Sequence, residues 1–309
     1  MTGPPRPPRR RVDGILLLDK PRGVTSNAAL QRARRALGAE KAGHTGTLDP
    51  LATGLLPLCF GEATKFAQSL LDSRKEYLAT LAFGASTTTG DAEGEVVETA
   101  PVTFGADELA AVLRRFEGGI MQLPPRHAAL KFEGRPYYEY ARAGQDVPRT
   151  PRAVTIHALE IVRCVLPQVE LRIACSKGTY VRVLAEDIAQ ALGSRAHLAA
   201  LHRTASGPFR VDDAVPLATL EAVGPAAVAA RVLPVDAALH DLPRLDLDAG
   251  AASALCRGQA VAPVAFGDGR YRCYAPGGAF VGMAAAAGGV LRALRMLRTD
   301  RPAPDPGSA

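Results

Sequence analysis

The 309-residue chain contains no tryptophan, and its aromatic residues amount to only 5% of it, so each Tyr and Phe calls for a specific reason. Five cysteines are scattered, odd in number and free of any C-x-x-C pattern, which argues for reduced thiols and against a disulfide framework or a zinc site. No stretch reaches the ~20 apolar residues of a membrane span. The apolar run nearest the N-terminus, Ile15–Leu18, is too short for a signal-peptide core, and a cytoplasmic location is expected. The P-loop, the dinucleotide-binding glycine pattern, H-E-x-x-H, G-x-S-x-G and the zinc deaminase signature are all missing. Any catalysis is therefore expected to rely on side chains, with no metal and no cofactor.

What is present is an ordinary globular composition, 47% hydrophobic and 22% charged, in a chain long enough for about two domains. The net charge is +6, concentrated at one end: residues 1–35 hold nine basic side chains against Asp13 and Asp19. Such a concentration suits a polyanionic partner or a solubilising tail, and charge alone does not choose between them.

Residues 1–11, rich in Pro and Arg, read as a disordered tail. Ile15–Leu18 reads as a buried strand, Ser26 as the cap of a helix to about Leu37, and residues 43–54 as an ordered loop. Strands are expected at Leu55–Phe60 and Tyr77–Phe83, with a helix between them near Glu62–Leu71 and another over Asp107–Phe116. Residues 123–152, dense in Pro, Arg and Tyr, suggest a protruding arm. Paired strands at Val154–Val165 and Val169–Ala174 lead into a helix over Thr179–Leu192, and Ala-rich helical sequence is expected to continue to about Ala230. Residues 232–245 read as a connector, about 246–298 as a small β-rich domain, and 299–309 as a frayed tail. This order predicts an α+β fold with a mixed, largely antiparallel sheet and flanking helices, not a doubly wound one.

The most informative segment is Gly43–Gly54. Pro50 biases Asp49 towards an extended backbone, Gly43, Gly46 and Gly54 let the chain bend, and the hydroxyls of Thr45 and Thr47 can anchor it. A carboxylate held this way serves as nucleophile or general base; equally, Asp-Pro is an ordinary turn pair. His44 reads as a structural histidine, and Tyr77 as a core aromatic or a platform for a base. In S-K-G-T-Y-V-R (176–182), Arg182 falls in a first helical turn, against the helix dipole. Either it is solvated, or it pairs with an acid; pairing with Asp49 would orient that carboxylate and hold its pKa down.

Three segments carry a resemblance: GILLLDKPRGVTS (14–26), GHTGTLDPLATGLLPLCFGEATK (43–65) and CSKGTYVRVLAEDIA (175–189). They closely resemble the bacterial tRNA pseudouridine-55 synthases of the TruB family. KEYLATLAFGASTTTGDAEG (75–94) is similar to the family's tyrosine strand, QLPPRHAALKFEGRPYYEYARAG (122–144) to its RNA-gripping thumb, and about 246–298 to its small PUA-type RNA-binding domain. The resemblance implies a pseudouridine synthase domain over 12–231 followed by that PUA-like domain. It implies that Asp49 is the essential carboxylate, that His44, Tyr77, Tyr180 and Leu201 contact the RNA or the target base, and that Arg182 pairs with the catalytic acid. Lys20 matches a lysine in a supporting role, and Gly46 and Thr47 support the loop. Hydroxyl chemistry at Tyr77 beyond stacking stays open. The basic N-terminal segment and Arg292, Arg295 and Arg298 are candidates for phosphate contacts.

The implied reaction detaches the uracil of a T-loop uridine, rotates it and reattaches it through C5, with no atoms gained or lost. Asp49 attacking C1′, attacking C6 or removing the C2′ proton to give a glycal are the three routes, and the family favours the last. The target must be flipped out of its stack, with His44 bracing the vacated place and Tyr77 stacking on the uracil. The partner implied is the T-arm of tRNA, and nothing demands more than a monomer. His127-Ala128 and His202 depart from the family's common Tyr-Ser and Arg at those positions. A guide-RNA-dependent synthase and a tRNA-folding chaperone without turnover are the alternatives; the arm and the compact C-terminus favour the stand-alone form.

Overall fold

The fold is that of a computed structural model, which describes residues 9–262 and 266–298. Most of the stretches read as terminal tails lie outside the described residues. The first unit opens with β1 (Gly14–Lys20), α1 (Ser26–Leu37), β2 (Ala42–His44), β3 (Thr53–Phe60), α2 (Ala67–Asp72) and β4 (Lys75–Phe83). A hairpin of β5 (Ala85–Thr87) and β6 (Val96–Thr99), then α3 (Ala106–Leu113) and β7 (Gly118–Gln122), lead to the arm. The arm carries β8 (Lys131–Phe132), β9 (Arg135–Pro136) and α4 (Tyr137–Arg142). The chain returns through β10 (Arg152–Val165), β11 (Gln168–Cys175), α5 (Val181–Ala191), β12 (Ala196–Ser206), β13 (Phe209–Arg210), β14 (Val215–Pro216), α6 (Leu217–Ala222) and α7 (Pro225–Ala229). The C-terminal unit holds β15 (Arg244–Asp246), α8 (Ala249–Cys256), β16 (Gly269–Tyr274), β17 (Phe280–Ala287) and β18 (Val290–Met296).

One mixed sheet runs β14-β1-β3-β12-β4-β11-β10-β7, with β2 beside β3 and β13 beside β12. Only the β1–β14 and β3–β12 pairs are parallel. Strands β1 and β3 are apolar on both sides because both of their faces are covered, whereas β12, β4 and β11 alternate buried with more exposed positions. Strand alternation sends Leu16, Leu18, Leu56 and Leu58 into a core under α1, α3, α5 and α6, and Ile15, Leu17, Leu55 and Cys59 into a second core with Phe66, Leu70 and Leu239. The four-stranded sheet β15-β16-β17-β18 closes a small third core around Leu255, Cys273 and Leu291. It docks on the second core through an edge-on Phe66–Phe280 pair at 5.6 Å and Lys65 Nζ donating to the Met296 carbonyl at 2.9 Å.

Four expectations need correction. The cap of α1 is Thr25, whose side chain accepts from Ala28 N; Ser26 is the first helical residue and its hydroxyl turns to Leu48. The span after α5 is not continuous helix: Ala196–Ser206 is β12, and helix resumes only at α6 and α7. Alanine favours helix locally, but β12 pairs with both β3 and β4, and that pairing makes the segment a strand. Arg10, read as part of a tail, is pinned, its Nε donating to the Leu37 carbonyl at 3.0 Å. The basic end is also partly neutralised internally, since Arg11 pairs with Asp13 at 2.7 Å and Arg32 pairs with Glu221.

Leu56 is fully buried in β3 beside the Gly43–Gly54 loop. Leu56→Ala should lower unfolding stability by about 2–5 kcal/mol, read as an earlier midpoint in urea denaturation.

Candidate active site

The loop between β2 and β3 is built to display Asp49. Leu48, Leu51 and Ala52 on either side of it are buried in the main core. The Ser26 hydroxyl donates to the Leu48 carbonyl at 2.9 Å and accepts from Leu48 N at 2.8 Å, and Ala52 N closes a turn onto the Asp49 carbonyl at 3.1 Å. The buried Thr45 hydroxyl donates to the Pro57 carbonyl at 3.2 Å, the anchoring expected of it. Thr47, expected to anchor likewise, lies on the wall of the cavity. Lys20 Nζ, in a fully buried residue, donates to the carbonyls of Val24 at 2.7 Å, Pro21 at 3.0 Å and Pro50 at 3.4 Å. Burial lowers its pKa to about 8. Through the Pro50 carbonyl it touches the loop next to Asp49.

A second cation underlies the same loop. Arg203, on β12, is 1% exposed and donates through Nε to the Leu55 carbonyl at 2.7 Å and through Nη2 to the Gly46 carbonyl at 3.1 Å. Gly54 is at φ +95°, and a Cβ there would stand 2.4 Å from the Arg203 carbonyl oxygen. Neither the conformation nor the space allows another residue. The helical misreading of β12 is what concealed Arg203: a lone arginine in a helix reads as solvated.

Arg182 sits on the opposite wall, its side chain 6% exposed, so the solvated reading is excluded. Its Nε meets Asp49 Oδ2 at 3.0 Å, Nη1 donates to the Thr89 carbonyl at 2.7 Å, and Nη2 donates to the His127 carbonyl at 3.2 Å. Asp91 stands 3.9 Å from Arg182 Nε and is itself held by the Thr89 hydroxyl at 2.6 Å and Glu93 N at 3.0 Å. Asp91 was not anticipated; an aspartate in a Gly-rich turn carries no signal that it faces a buried arginine.

The pKa of Asp49 runs against the sequence expectation. Arg182 pulls it down, but burial outweighs that pull and Asp91 adds to the rise, so the carboxyl lies above its ordinary value. Tyr77, half-buried on β4 against the core, lies by the Arg203 guanidinium; burial raises its phenol and keeps it protonated. Burial, with Arg203, lowers the His44 pKa and keeps that ring neutral. Among the described residues, His44 Nδ1 is buried without a hydrogen-bond partner.

Asp49, Tyr77, Tyr180, Arg182, Leu201, Gly46 and Thr47 converge on one cavity of about 590 Å³. His44 instead lines an adjoining cavity of about 500 Å³, which shares Asp49, Arg182 and His127 with the first. Of the two departures, His202 bonds the Thr53 hydroxyl at 2.8 Å, and His127 offers its carbonyl to Arg182. The cavity sets the Asp49 carboxylate among aromatic and aliphatic side chains (Tyr77, Tyr180, Leu201) and cationic ones (Lys75, Arg152, Arg182, Arg203), an arrangement that suits acid–base or nucleophilic work on a flat ring.

A titration followed by carboxyl-carbon NMR should place the Asp49 midpoint above the ordinary ~3.9 of an aspartate. Arg182→Met removes the main lowering influence and should move it higher still.

Family models match nearly the whole chain. One described as the TruB family pseudouridylate synthase N-terminal domain covers residues 34–181; a tRNA pseudouridylate synthase B C-terminal domain covers 182–240; and pseudouridine synthase II TruB, C-terminal, covers 243–297. A protein of Burkholderia mallei named tRNA pseudouridine synthase B is 53% identical over 302 residues, 96% of this chain and 97% of that one. Its namesake in Thiobacillus denitrificans is 52% identical over 294 residues, 95% and 99% of the two chains. Among solved structures, a chain of a Cbf5-Nop10-Gar1 complex superposes with a TM-score of 0.67 at 27% identity, covering 88% of this chain and 78% of that one.

Proposed function

We propose that this chain, which belongs to the TruB family of pseudouridylate synthases, isomerises one uridine of tRNA to pseudouridine at the T-loop position 55. The observation that carries the reading is the Asp49 carboxylate, gripped by a buried Arg182 and facing Tyr77, Tyr180 and Leu201 across one cavity. Residues 12–231 form the catalytic unit, with the arm of about 123–152 as its thumb. Residues 246–298 supply a further RNA contact, with Arg292, Arg295 and Arg298 available to phosphates.

The uridine enters extruded from its stack, at a cost of a few kcal/mol. Tyr77 takes the uracil face, while Tyr180 and Leu201 close the remaining wall. His44, neutral and lacking a partner for Nδ1, braces the place the base has left. The raised pKa of Asp49 makes its carboxylate both a stronger base and a stronger nucleophile than an ordinary aspartate; of the routes open to it, the one the family favours is removal of the C2′ proton. The C1′–N1 electron pair then leaves with the uracil, and a glycal remains. The uracil turns, C5 bonds to C1′, and Asp49 returns its proton to C2′. The C5 proton is lost and N1 gains one, so substrate and product have the same composition. No step calls for an external electron or group donor.

Two other readings remain testable by the same assay: a synthase that needs a guide RNA, and a tRNA-folding chaperone without turnover. Purified protein, an unmodified T-arm stem-loop and no added guide should yield a single pseudouridine, mapped by carbodiimide labelling and primer extension. Asp49→Asn should abolish it and leave RNA binding in place. The variant should also fold at least as well near neutral pH. A carboxyl whose folded pKa is raised disfavours the folded state wherever it is ionised, and the amide carries no charge. Tight binding without product in the wild type would point to the chaperone or the guided enzyme.

A further inference from the structure

The thumb leaves the sheet at Gln122, the last residue of β7, and returns at Arg152, its register partner in β10. Gln122 is 1% exposed, yet it spends its side chain on one residue only. Its Oε1 accepts from Tyr180 N at 2.9 Å, and its Nε2 donates to the Tyr180 carbonyl at 3.3 Å. The orientation of the amide is forced, because Tyr180 N–H must meet the oxygen. Tyr180 is the residue before α5, with φ −100° and ψ 106°, and no side chain caps that helix end. Its carbonyl also accepts from Leu184 N at 3.0 Å, so Gln122 is the partner that matters for its N–H. Two residues on, Arg182 takes the His127 carbonyl of the thumb at 3.2 Å. The root of the thumb therefore grips the start of α5 at two points, one on each side of Val181.

We propose that Gln122 is a positioning residue that ties the thumb to the Tyr180 wall of the cavity, so that the thumb's seat on RNA sets the placement of the base against Asp49. The proposal rests on the pseudouridine synthase reading. Gln122 lies behind Tyr180 rather than on the cavity wall and touches no substrate; it acts through the Tyr180 main chain. Its loss therefore falls on the chemical step. Affinity, which is spread over the thumb and the phosphate contacts, stays.

The test is single-turnover conversion of the unmodified T-arm stem-loop, with its dissociation constant measured separately, for the wild type, Gln122→Met and Gln122→Glu. Gln122→Met matches the side chain in length but strands the Tyr180 N–H. Its rate should fall about tenfold or more, as for a buried donor left unpaired, with the dissociation constant within about threefold of wild type. Gln122→Glu gives a readout that a merely structural role would not move. When ionised it repels the Tyr180 carbonyl. When protonated, its O–H donates to that carbonyl and its C=O accepts from the N–H, as the amide did. Its rate relative to wild type should therefore climb as pH falls from mildly alkaline to mildly acid, even if Gln122→Met fails to fold. A wild-type rate in Gln122→Met, an equal loss of rate and affinity, or a Gln122→Glu ratio flat with pH would overturn the proposal. Absence of product from the wild type would instead overturn the reading beneath it.

Discussion

The Asp49–Arg182 pair is the contact on which the rest of the site depends. One planar guanidinium, almost wholly buried, meets the carboxylate at 3.0 Å and donates from its two other nitrogens to the carbonyls of Thr89 and His127. Three separate segments thus share one charged group: the loop that displays Asp49, the turn after β5, and the thumb. A lysine has donors enough in number, but they radiate from one nitrogen and lack the planar fork that spreads these three bonds over three segments. Because the guanidinium is fixed from behind by main-chain groups, it orients the carboxylate without following it into the cavity.

The electrostatics of the site combine two buried arginines, two buried lysines, Lys20 and Lys75, and the aspartates Asp49 and Asp91. Arg203 bonds carbonyls at the two ends of the Asp49 loop, and Lys20 ties Pro50, next to Asp49, to the Pro21 and Val24 carbonyls ahead of α1. They hold its shape and leave the acid free to react. Asp91 balances part of the charge of Arg182 and pushes Asp49 upward, in the same direction as burial. A carboxylate both oriented and made more basic is suited to taking and returning a proton. The same burial makes it a liability for stability, a common trade at reactive positions.

Much of this was legible in the chain, and the misses have physical causes. The apolar run Ile15–Leu18 announced β1, because burial is what an apolar run records, and a capping hydroxyl announced α1, one residue later than the Thr25 that caps it. The glycines and Pro50 around Asp49 announced a shaped loop. Strand β12 did not announce itself, since its alanines are good helix formers and only their place inside the sheet makes them a strand. Arg203 was hidden with it. Asp91 and Gln122 owe their importance to partners 91 and 58 positions away, Arg182 and Tyr180 respectively, a relation that no local pattern encodes. A partner such as Arg182 speaks only for a lowered Asp49 pKa; the sequence carries no measure of the burial that wins.

The central claim is that Arg182 acts by geometry and not by charge alone, and Arg182→Lys tests it most directly. Lysine keeps the positive charge but cannot engage Asp49 and both carbonyls together. The account predicts a single-turnover rate on the T-arm stem-loop lower by about a hundredfold, with RNA affinity close to wild type. A variant that turns over at the wild-type rate would show that charge suffices and would contradict it.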